Sequence, residues 1–285
     1  ISTFRKKFND PEEGFIYERA SENWGEYFDK LDLSNVPETY HCTNFVNFFG
    51  SKHPLYKGIV LEIGCGPGFD AHRMASSNPE FPYYGIDLGR QIESIALRDK
   101  DISNLHYLRG DALSLPMKKE EVNFIVSFGV FHHTANPQKC MDEAWRVLKP
   151  GGRICIYLYT NHENNFLKRT GTKVEKILLS LTAILSTKAR MIFCWALSPL
   201  ILLIFSWPGQ IIKRIPPLKK LGSSFPLHWG TTPASIFGDL QDRLCSPVNH
   251  RYSKKEFKSL FTNSGFSNIE VVTTTGGHFG YAEKT

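Results

Sequence analysis

The chain has only six cysteines among its 285 residues, and it lacks the close cysteine spacing of zinc sites and disulfide frameworks. They lie at positions 42, 65, 140, 155, 194 and 245, and no two form a Cys-x-x-Cys pair. Cys65 falls in a glycine-rich turn and Cys155 within an apolar run. The pattern argues against disulfide bonding and against a metal site, and it favours reduced thiols in a cytoplasmic protein.

A secretory signal is also missing from the first residues. Because the chain begins at Ile1 and not at a methionine, the earlier removal of a leader stays open. Apolar residues make up 41% and charged residues 22% of the chain, which is ordinary for a globular protein with a sizeable core. The length allows one large domain or a domain with an insertion.

Two phosphate-binding motifs are absent. No Gly-Lys-Ser/Thr segment occurs, which excludes a P-loop. Gly64, Gly66 and Gly68 follow a Gly-x-Gly-x-Gly pattern, and Phe69 stands where a dinucleotide-binding fingerprint needs its third glycine. The loop therefore favours a ligand without a pyrophosphate on the helix N-terminus, and an NAD-type domain is the lesser alternative.

What the sequence does contain is a series of short apolar runs that end in glycine or an acidic residue. The runs are Ile59 to Ile63, Phe81 to Ile86 before Asp87, Leu105 to Leu108 before Gly110-Asp111-Ala112, Val122 to Phe128, and Arg153 to Tyr159 after a predicted turn at Lys149 to Gly152. Helical segments such as Asp70 to Ser76 and Pro137 to Leu148 separate them. This alternation predicts an α/β fold with a mostly parallel sheet that is covered by helices on both faces.

The same segments resemble the class I S-adenosylmethionine-dependent methyltransferases, in particular the branch of quinone-biosynthesis and small-molecule tailoring enzymes. The matching segments are LEIGCGPG (61–68), YYGIDLG (83–89), GDALSLPM (110–117), SFGVFHHT (127–134) and WRVLKPGGRICIY (145–157). The resemblance implies a Rossmann-like, doubly wound, seven-stranded sheet and S-adenosylmethionine as the cofactor. It implies a small-molecule acceptor, whose methylated O, N or C atom stays open.

Cofactor-binding roles follow from the resemblance. Gly64, Cys65, Gly66 and Gly68 would form the loop at the amino-acid end of the cofactor, and Glu62 would orient it. Asp87 would bind the ribose, and Leu88 would pack on the adenine. Asp111 and Ala112 would contact the adenine nitrogens, and Phe128 would offer a carbonyl to the ammonium. For both aspartates, a cap on the following helix is the alternative role.

Methyl transfer from a sulfonium mainly needs positioning and a dry site, and a general base helps where the acceptor carries a proton. His133 is the first candidate for that base and His132 the second, since both follow the fourth strand. Simple packing of the two imidazoles is the competing interpretation. The predicted substrate pocket contains Tyr17, Trp24, Tyr159, His228 and Tyr252, and the spacing of His, Asp and Glu predicts no metal site.

We expect four segments. Residues 1–57 supply helices over the cofactor pocket, and 58–160 form the cofactor-binding core. Residues 161–235 are an apolar, basic helical insertion that forms a lid. Residues 236–285 close the fold with a helix and antiparallel strands. In this last segment, Ser253 and Glu256 have the spacing of a capping box for a helix over Lys254 to Asn263.

The insertion concentrates the positive charge. Residues 160–222 contain ten Lys or Arg against Glu163 and Glu175, a net of +8, so the remainder carries +6 − 8 = −2. Met191 to Ile212 is uncharged over 22 residues. Three interpretations compete: a membrane span, a lid of paired helices, and a lid whose segment 176–220 also contacts an anionic membrane surface. The last would make a cytoplasmic protein peripherally membrane-bound.

Two other functions stay as alternatives. One is a non-catalytic scaffold that binds S-adenosylmethionine, because a fold alone does not establish activity. The other is a nucleic-acid methyltransferase that uses the basic insertion. The Asn/Asp-Pro-Pro-aromatic signature of many base-amine methyltransferases is absent, and the basic residues flank apolar helices, so nucleic acid is the less favoured partner. The oligomeric state stays open.

Overall fold

The computed structural model describes residue 20 and residues 41–50, 57–182 and 184–285. Its sheet contains β1 (Val60–Ile63), β2 (Tyr83–Asp87), β3 (Leu105–Arg109), β4 (Val122–Phe128), β5 (Leu148–Tyr159), β6 (Phe266–Thr273) and β7 (Gly277–Lys284). The strand order is β3-β2-β1-β4-β5-β7-β6. β1 to β5 pair in parallel, and β7 is antiparallel to β5 and β6. The predicted seven-stranded, mostly parallel sheet is confirmed.

Helices flank the sheet in chain order. They are α1 (His41–Phe45, continued by a π-helical turn at Val46–Gly50), α2 (Phe69–Ser77), α3 (Ile92–Arg98), α4 (Pro137–Val147), α5 (Phe166–Thr182), α6 (Thr187–Ile201), α7 (Trp207–Lys213), α8 (Lys219–Ser224), α9 (Pro233–Leu244) and α10 (Lys254–Asn263). A π-helical segment, Leu202–Ser206, joins α6 to α7, so Thr187–Lys213 is one helix of 27 residues.

Two apolar clusters lie on the two faces of the sheet. Successive side chains of a strand point to opposite faces. Leu61 and Ile63 of β1 therefore pack in one cluster with Met141 of α4 and Phe257 of α10. Val60 packs in the other, which contains buried residues of α1 and α2. The predicted cover of helices on both faces is thus present.

The chain divides into two compact units. The core unit comprises residues 1–160 and 250–285, and the insertion unit comprises 161–249. This division differs from the predicted one, because α9 belongs to the insertion unit and not to the closing segment 236–285. The reason is that α9 packs on α6 and α5, which lie within the insertion. The closing part of the core begins only at His250.

Two local predictions can be compared directly. The capping box of α10 is confirmed: Glu256 N donates to Ser253 Oγ at 3.2 Å, and Ser253 N donates to Glu256 Oε2 at 2.8 Å. The predicted turn at 149–152 is instead the first part of β5. The β4–β5 register shifts between Val122 and Phe124, so the additional residues of β5 form a bulge with Gly151 at φ 75°.

Candidate functional site

The candidate site lies at the sheet edge where β1, β2, β4 and β5 end, because parallel strands bring their carboxyl ends together. The loop that follows β1 adopts left-handed backbone angles, with φ 75° at Gly64 and 70° at Gly68. A Cβ on Gly64 would lie 2.2 Å from Cγ2 of Val130, and one on Gly68 would lie 2.5 Å from the Tyr107 hydroxyl. Only glycine fits either position.

The N–H groups of this loop are already bonded within the protein. The amides of Gly64 and Cys65 donate to the Ile86 carbonyl at 2.7 and 3.1 Å, and Gly66 N donates to Asp87 Oδ2 at 2.9 Å. The carbonyl oxygens of Cys65, Gly66 and Pro67 already accept one bond each within the protein, but every carbonyl has a second lone pair that a ligand donor can use. These oxygens accept hydrogen bonds, which suits the ammonium of a methionyl group.

Asp87 stands at the end of β2, half-buried, and ties the loop to the following turn. Its Oδ1 accepts bonds from Gly89 N at 2.8 Å and from Gln91 Nε2 at 3.0 Å. With the bond from Gly66, three of about four acceptor positions of the carboxylate are used. Gln91 also donates to the Gly66 carbonyl at 3.2 Å and is 1% exposed. Nothing in the sequence singles out Gln91, which looks like any polar residue before a helix.

These groups fit a ribose. Asp87 retains an acceptor position, and Oε1 of Gln91 is buried with no hydrogen-bond partner among the described residues. A ligand that brings two hydroxyl donors would satisfy both. At the adjacent strand end, a Cβ built on Gly129 would meet nothing within 4 Å, so there is open space beside the predicted contact residue Phe128.

A buried acidic pair lies beneath the loop. Glu62 is 3% exposed and accepts the Tyr83 hydroxyl at 2.8 Å. Burial, together with the nearby carboxylate of Asp70, raises the pKa of Glu62 well above its ordinary value. Asp70 is 2% exposed, accepts Cys42 N at 2.7 Å and lies 3.3 Å from Nδ1 of His41.

Asp70 therefore fastens α1 to the start of α2. In the sequence, Asp70 stands out only as the first residue of a predicted helix, and His41 does not stand out at all. The His41 ring lies 5.8 Å from that of Phe128 and 6.1 Å from that of Tyr157. A carboxylate in the first turn after a glycine loop was the available signal, but its partner lies 28 residues earlier in the chain.

A second network holds the loop from the side of α3. Arg98 donates to the Pro67 carbonyl at 2.8 Å and to Asp99 Oδ2 at 2.5 Å. Asp99 also accepts the Tyr107 hydroxyl at 2.7 Å and contacts Nδ1 of His72 at 2.8 Å. Burial alone would raise the pKa of Asp99, but these bonds outweigh it and lower the pKa. The glycine loop thus rests on fixed hydrogen bonds.

The remaining predicted cofactor residues lie at the same edge. Leu88 is half-buried, and its carbonyl accepts Arg109 Nε at 3.1 Å. Asp111 is 6% exposed, and its Oδ1 accepts Leu113 N at 2.9 Å. That bond stabilises a turn rather than capping a helix, so its first role is structural. Burial and the Asp87 carboxylate raise the pKa of the Cys65 thiol, which keeps it neutral.

The two candidate bases lie in a packed aromatic group. His132 and His133 belong to a 3₁₀ turn, Phe131–His133, that follows β4. Their rings lie 4.1 Å apart, and the Tyr159 ring lies 4.1 Å from His132 and 6.0 Å from His133. His132 is fully buried, whereas His133 is 6% exposed. Both rings are buried, and the choice of His133 over His132 as the base stays a prediction.

Tyr252 joins this group through the main chain. Its N–H donates to the Tyr159 carbonyl at 3.0 Å, and its own carbonyl contacts His278 Nε2 at 3.0 Å. Burial raises the pKa of the Tyr252 phenol, so it stays protonated at neutral pH. Two of the five predicted pocket residues, Tyr159 and Tyr252, thus lie beside the candidate bases.

Of the other three predicted pocket residues, Tyr17 and Trp24 lie outside the described residues. His228 belongs to the insertion unit, where Nδ1 contacts the Phe225 carbonyl at 3.2 Å. Burial and the nearby Lys168 lower its pKa. Within the described parts of the chain, no three His, Cys, Asp or Glu side chains are arranged to hold a metal ion.

Comparison with known proteins identifies the domain that carries this site. A family model described as a methyltransferase domain matches residues 61–156, from the strand before the glycine loop into β5. Residues 61–156 form a methyltransferase domain. The methyltransferase match ends before the insertion unit begins.

Relatives and solved structures agree with this domain. A phthiotriol/phenolphthiotriol dimycocerosates methyltransferase of Mycobacterium ulcerans is 31% identical over 131 residues, which are 46% of this chain and 47% of the relative. A fatty-acid O-methyltransferase of Mycolicibacterium smegmatis is 31% identical over 102 residues, 36% of each protein. The chain thus spans less than half of these methyltransferases.

A solved S-adenosylmethionine-dependent methyltransferase of Thermotoga maritima has the same fold. Its TM-score is 0.51 at 14% identity, and the alignment covers 94% of this chain and 99% of that one. At this identity the likeness shows the fold alone. S-adenosylmethionine is the cofactor of the methyltransferase class to which the domain belongs.

Proposed function

We propose that this protein transfers a methyl group from S-adenosylmethionine to a lipophilic small molecule. The observation that carries the proposal is the Asp87 centre, where one carboxylate binds the glycine loop and keeps an acceptor position at the mouth of the strands. When bound, S-adenosylmethionine supplies a methyl group that is already activated by the sulfonium. The protein then has to bind, orient and desolvate the reactants.

Each residue has a defined task in this proposal. Asp87 and Gln91 accept the ribose hydroxyls, and the loop carbonyls accept the ammonium. Glu62, linked to Tyr83, holds β1 and the loop in register. His133 takes the acceptor's proton where the acceptor atom carries one. Phe128, Leu88, Asp111 and Ala112 line the same edge.

The insertion unit supports a lipophilic acceptor. It contains a cavity of about 310 Å³, within the range of small-molecule sites. Leu178, Leu197, Ile201, Phe205 and Leu240 are among its mostly apolar lining. The lining also includes Lys168 and the Arg243–Glu175 ion pair at 2.9 Å, which can orient a polar end. Two relatives, a phthiotriol/phenolphthiotriol dimycocerosates methyltransferase and a fatty-acid O-methyltransferase, are named for substrates of the same class.

Calorimetric titration with S-adenosylhomocysteine, with NAD as the control ligand, tests the cofactor half of the proposal. Micromolar binding of the former alone is expected. No binding to folded protein would contradict both the methyltransferase and the S-adenosylmethionine-binding scaffold.

The acceptor half needs a second assay. The purified protein is incubated with methyl-labelled cofactor and either a lipid extract or an aqueous metabolite extract. Label that enters the organic phase is expected, and label found only in aqueous products would refute a lipophilic acceptor.

A further inference from the structure

The insertion unit exposes large apolar side chains to an extent that the core unit does not. Among the described residues, 18 large apolar side chains are exposed, and 17 of these lie in the insertion; Leu97 is the exception. They include Ile177, Ile184, Ile192, Leu203 and Ile211, which are 60–91% exposed. Monomeric soluble proteins rarely expose so much apolar surface in one region.

The exposure of large apolar side chains is most pronounced in the helix Thr187–Lys213. Its exposed large apolar residues are Ile192, Trp195, Leu200, Leu203, Ile204, Trp207 and Ile211. Its buried side contains the small residues Cys194, Ser198, Ser206 and Gly209 together with the larger Arg190, Met191 and Leu202. A helix in water turns most of its large apolar side chains inward, whereas this helix turns seven of them outward. Small residues in helix contacts and large apolar ones outside are the pattern of helices in lipid.

Contacts on the buried side agree with lipid-type packing. Ser198 Oγ donates to the Cys194 carbonyl and Ser206 Oγ to the Leu227 carbonyl, each at 2.7 Å. A Cβ on Gly222 of α8 would lie 2.6 Å from the Gly209 carbonyl of α7. Glycine thus allows the backbones of α7 and α8 to approach closely, as small residues do in membrane helix pairs.

The excess of exposed basic residues on the insertion unit favours an anionic membrane surface. Eight basic residues are exposed against one exposed acidic residue, Glu163. The basic residues are Arg169, Lys173, Lys176, Lys188, Lys213, Arg214, Lys219 and Lys220. Basic residues beside an apolar helix face are attracted to anionic headgroups. A second copy of the chain would bring like charges together, so it is a poorer occupant of this face.

We infer that the insertion unit binds an anionic bilayer, with the exposed face of helix 187–213 in the headgroup and acyl boundary of one leaflet. By length and composition this helix is also able to cross a membrane, with a mean hydropathy of 1.9 in its most apolar window. One face, however, packs on its own unit through Cys194, Ser198 and Ser206, and only the other face is free for lipid. The placement in one leaflet follows from that one-sided exposure.

Flotation of the full chain with vesicles tests this inference. Phosphatidylcholine vesicles with phosphatidylglycerol are compared with pure phosphatidylcholine. We expect flotation with the anionic vesicles, and added salt should weaken it. Failure to float with either vesicle overturns the inference, as does a stable homodimer by light scattering that does not float. Retention after an alkaline carbonate wash would indicate a spanning helix and overturn the placement in one leaflet.

Matched variants locate the contact. Leu203→Ser, Ile204→Ser and Ile211→Ser combined should lower partition at least about tenfold, since each side chain is 48–62% exposed and is expected to bury apolar area in lipid. Leu97→Ser, which removes an exposed leucine from the core unit, should leave partition unchanged. Unchanged thermal melting confirms that the variants fold, and full binding by the triple variant would contradict the inference.

A charge series completes the test. Lys213→Gln, Arg214→Gln, Lys219→Gln and Lys220→Gln together should lower binding to anionic vesicles at least about tenfold. Lys100→Gln, Lys254→Gln, Lys255→Gln and Lys258→Gln remove as many exposed charges from the core unit and should have little effect. An equal loss of vesicle binding in the two fourfold variants would show that only the net charge of the protein matters. That result would contradict a specific membrane-binding face. Flotation needs no methyl transfer, so its failure and that of the proposed function are separable.

Discussion

In the core unit, helices turn their large side chains inward, as with Met141 of α4 and Phe257 of α10, both fully buried. In the insertion unit, helix 187–213 buries Met191 and Leu202 beside serine, cysteine and glycine, and it exposes tryptophan, leucine and isoleucine. The first arrangement suits water, and the second is the basis of the proposed contact with lipid. If that proposal holds, one chain serves two environments, with cofactor chemistry in the core unit and lipid contact in the insertion unit.

Replacing residues 162–248 by a short Gly/Ser linker should have the largest effect. The core is continuous across the junction, because Thr160 and Tyr252 form a β-bridge. We expect retained binding of S-adenosylhomocysteine by calorimetry, and complete loss of methyl transfer and of vesicle binding. Loss of cofactor binding from a chain that still folds would contradict the separation of roles.

His133→Asn should lower kcat by about 10²–10⁴ if the acceptor carries a proton, the range for loss of a positioned general base. The affinity for S-adenosylhomocysteine should be unchanged. His132→Asn tests the second candidate, and exposed His106→Asn is the control. If folded His133→Asn keeps an activity within about threefold of wild type, His133 is not the general base, and its role is limited to packing.

Asp87→Ala should weaken binding of S-adenosylhomocysteine by about 2–3 kcal/mol, because it removes a charge-assisted pair of hydrogen bonds. Calorimetric titration measures the change, and exposed Asp101→Ala is the matched control. Unchanged affinity would show that the ribose is held elsewhere. Vesicle binding should be unaffected, since Asp87 lies in the core unit.

Asp99→Asn should lower the free energy of unfolding by about 1–3 kcal/mol, since it weakens the contacts with Arg98, Tyr107 and His72. The pKa of Asp99 is lowered in the folded state. Its contribution is therefore present above the ordinary aspartate pKa and lost as the pH falls through the folded value. Urea unfolding at acidic and neutral pH should show the variant's deficit shrinking in acid; a constant deficit would contradict this.

Glu62→Gln should have the smallest effect of these variants, and it should raise the stability where Asp99→Asn lowers it. The pKa of Glu62 is raised in the folded state, so wild type loses stability as the pH rises through that pKa, and the neutral amide does not. Tm measured from mildly acidic to neutral pH should favour the variant increasingly, while its cofactor affinity falls. A Tm difference between variant and wild type that is the same at all pH values would show that ionisation of the buried carboxylate does not lower the stability.

The sequence predicted the fold well because the sheet is built from local signals. Apolar runs that end in glycine or aspartate coincide with β1 to β4, whereas the strand order came only from the structure. The positions of Gly64, Asp87 and His133 after strand ends were also predictable, since each occurs in a short motif, and their roles stay predictions. Gln91, Asp70 and His41 were not, because their roles depend on partners 25 to 29 residues away.

The insertion was harder to predict from the sequence than the core. Its composition predicted apolar, basic helices, but composition does not reveal which side of a helix is buried. The outward orientation of seven large apolar side chains of helix 187–213 is seen only once α8 and α9 are packed against it. The place of α9 was missed for the same reason: its amphipathic pattern fits either unit, and contacts with α6 decide it.

The β5–β7 pairing has a consequence for how the protein is made. β5 pairs with β7, whose residues follow the whole insertion unit in the chain. At typical synthesis rates of 5–20 residues per second, the ribosome takes roughly 4–18 s to deliver the intervening insertion. During that interval the edge of β5 has no strand to cover it, and unpaired edges invite association with other chains. The apolar insertion therefore emerges before the sheet that flanks it is closed, and a nearby bilayer would capture the insertion while the methyltransferase domain is still being completed.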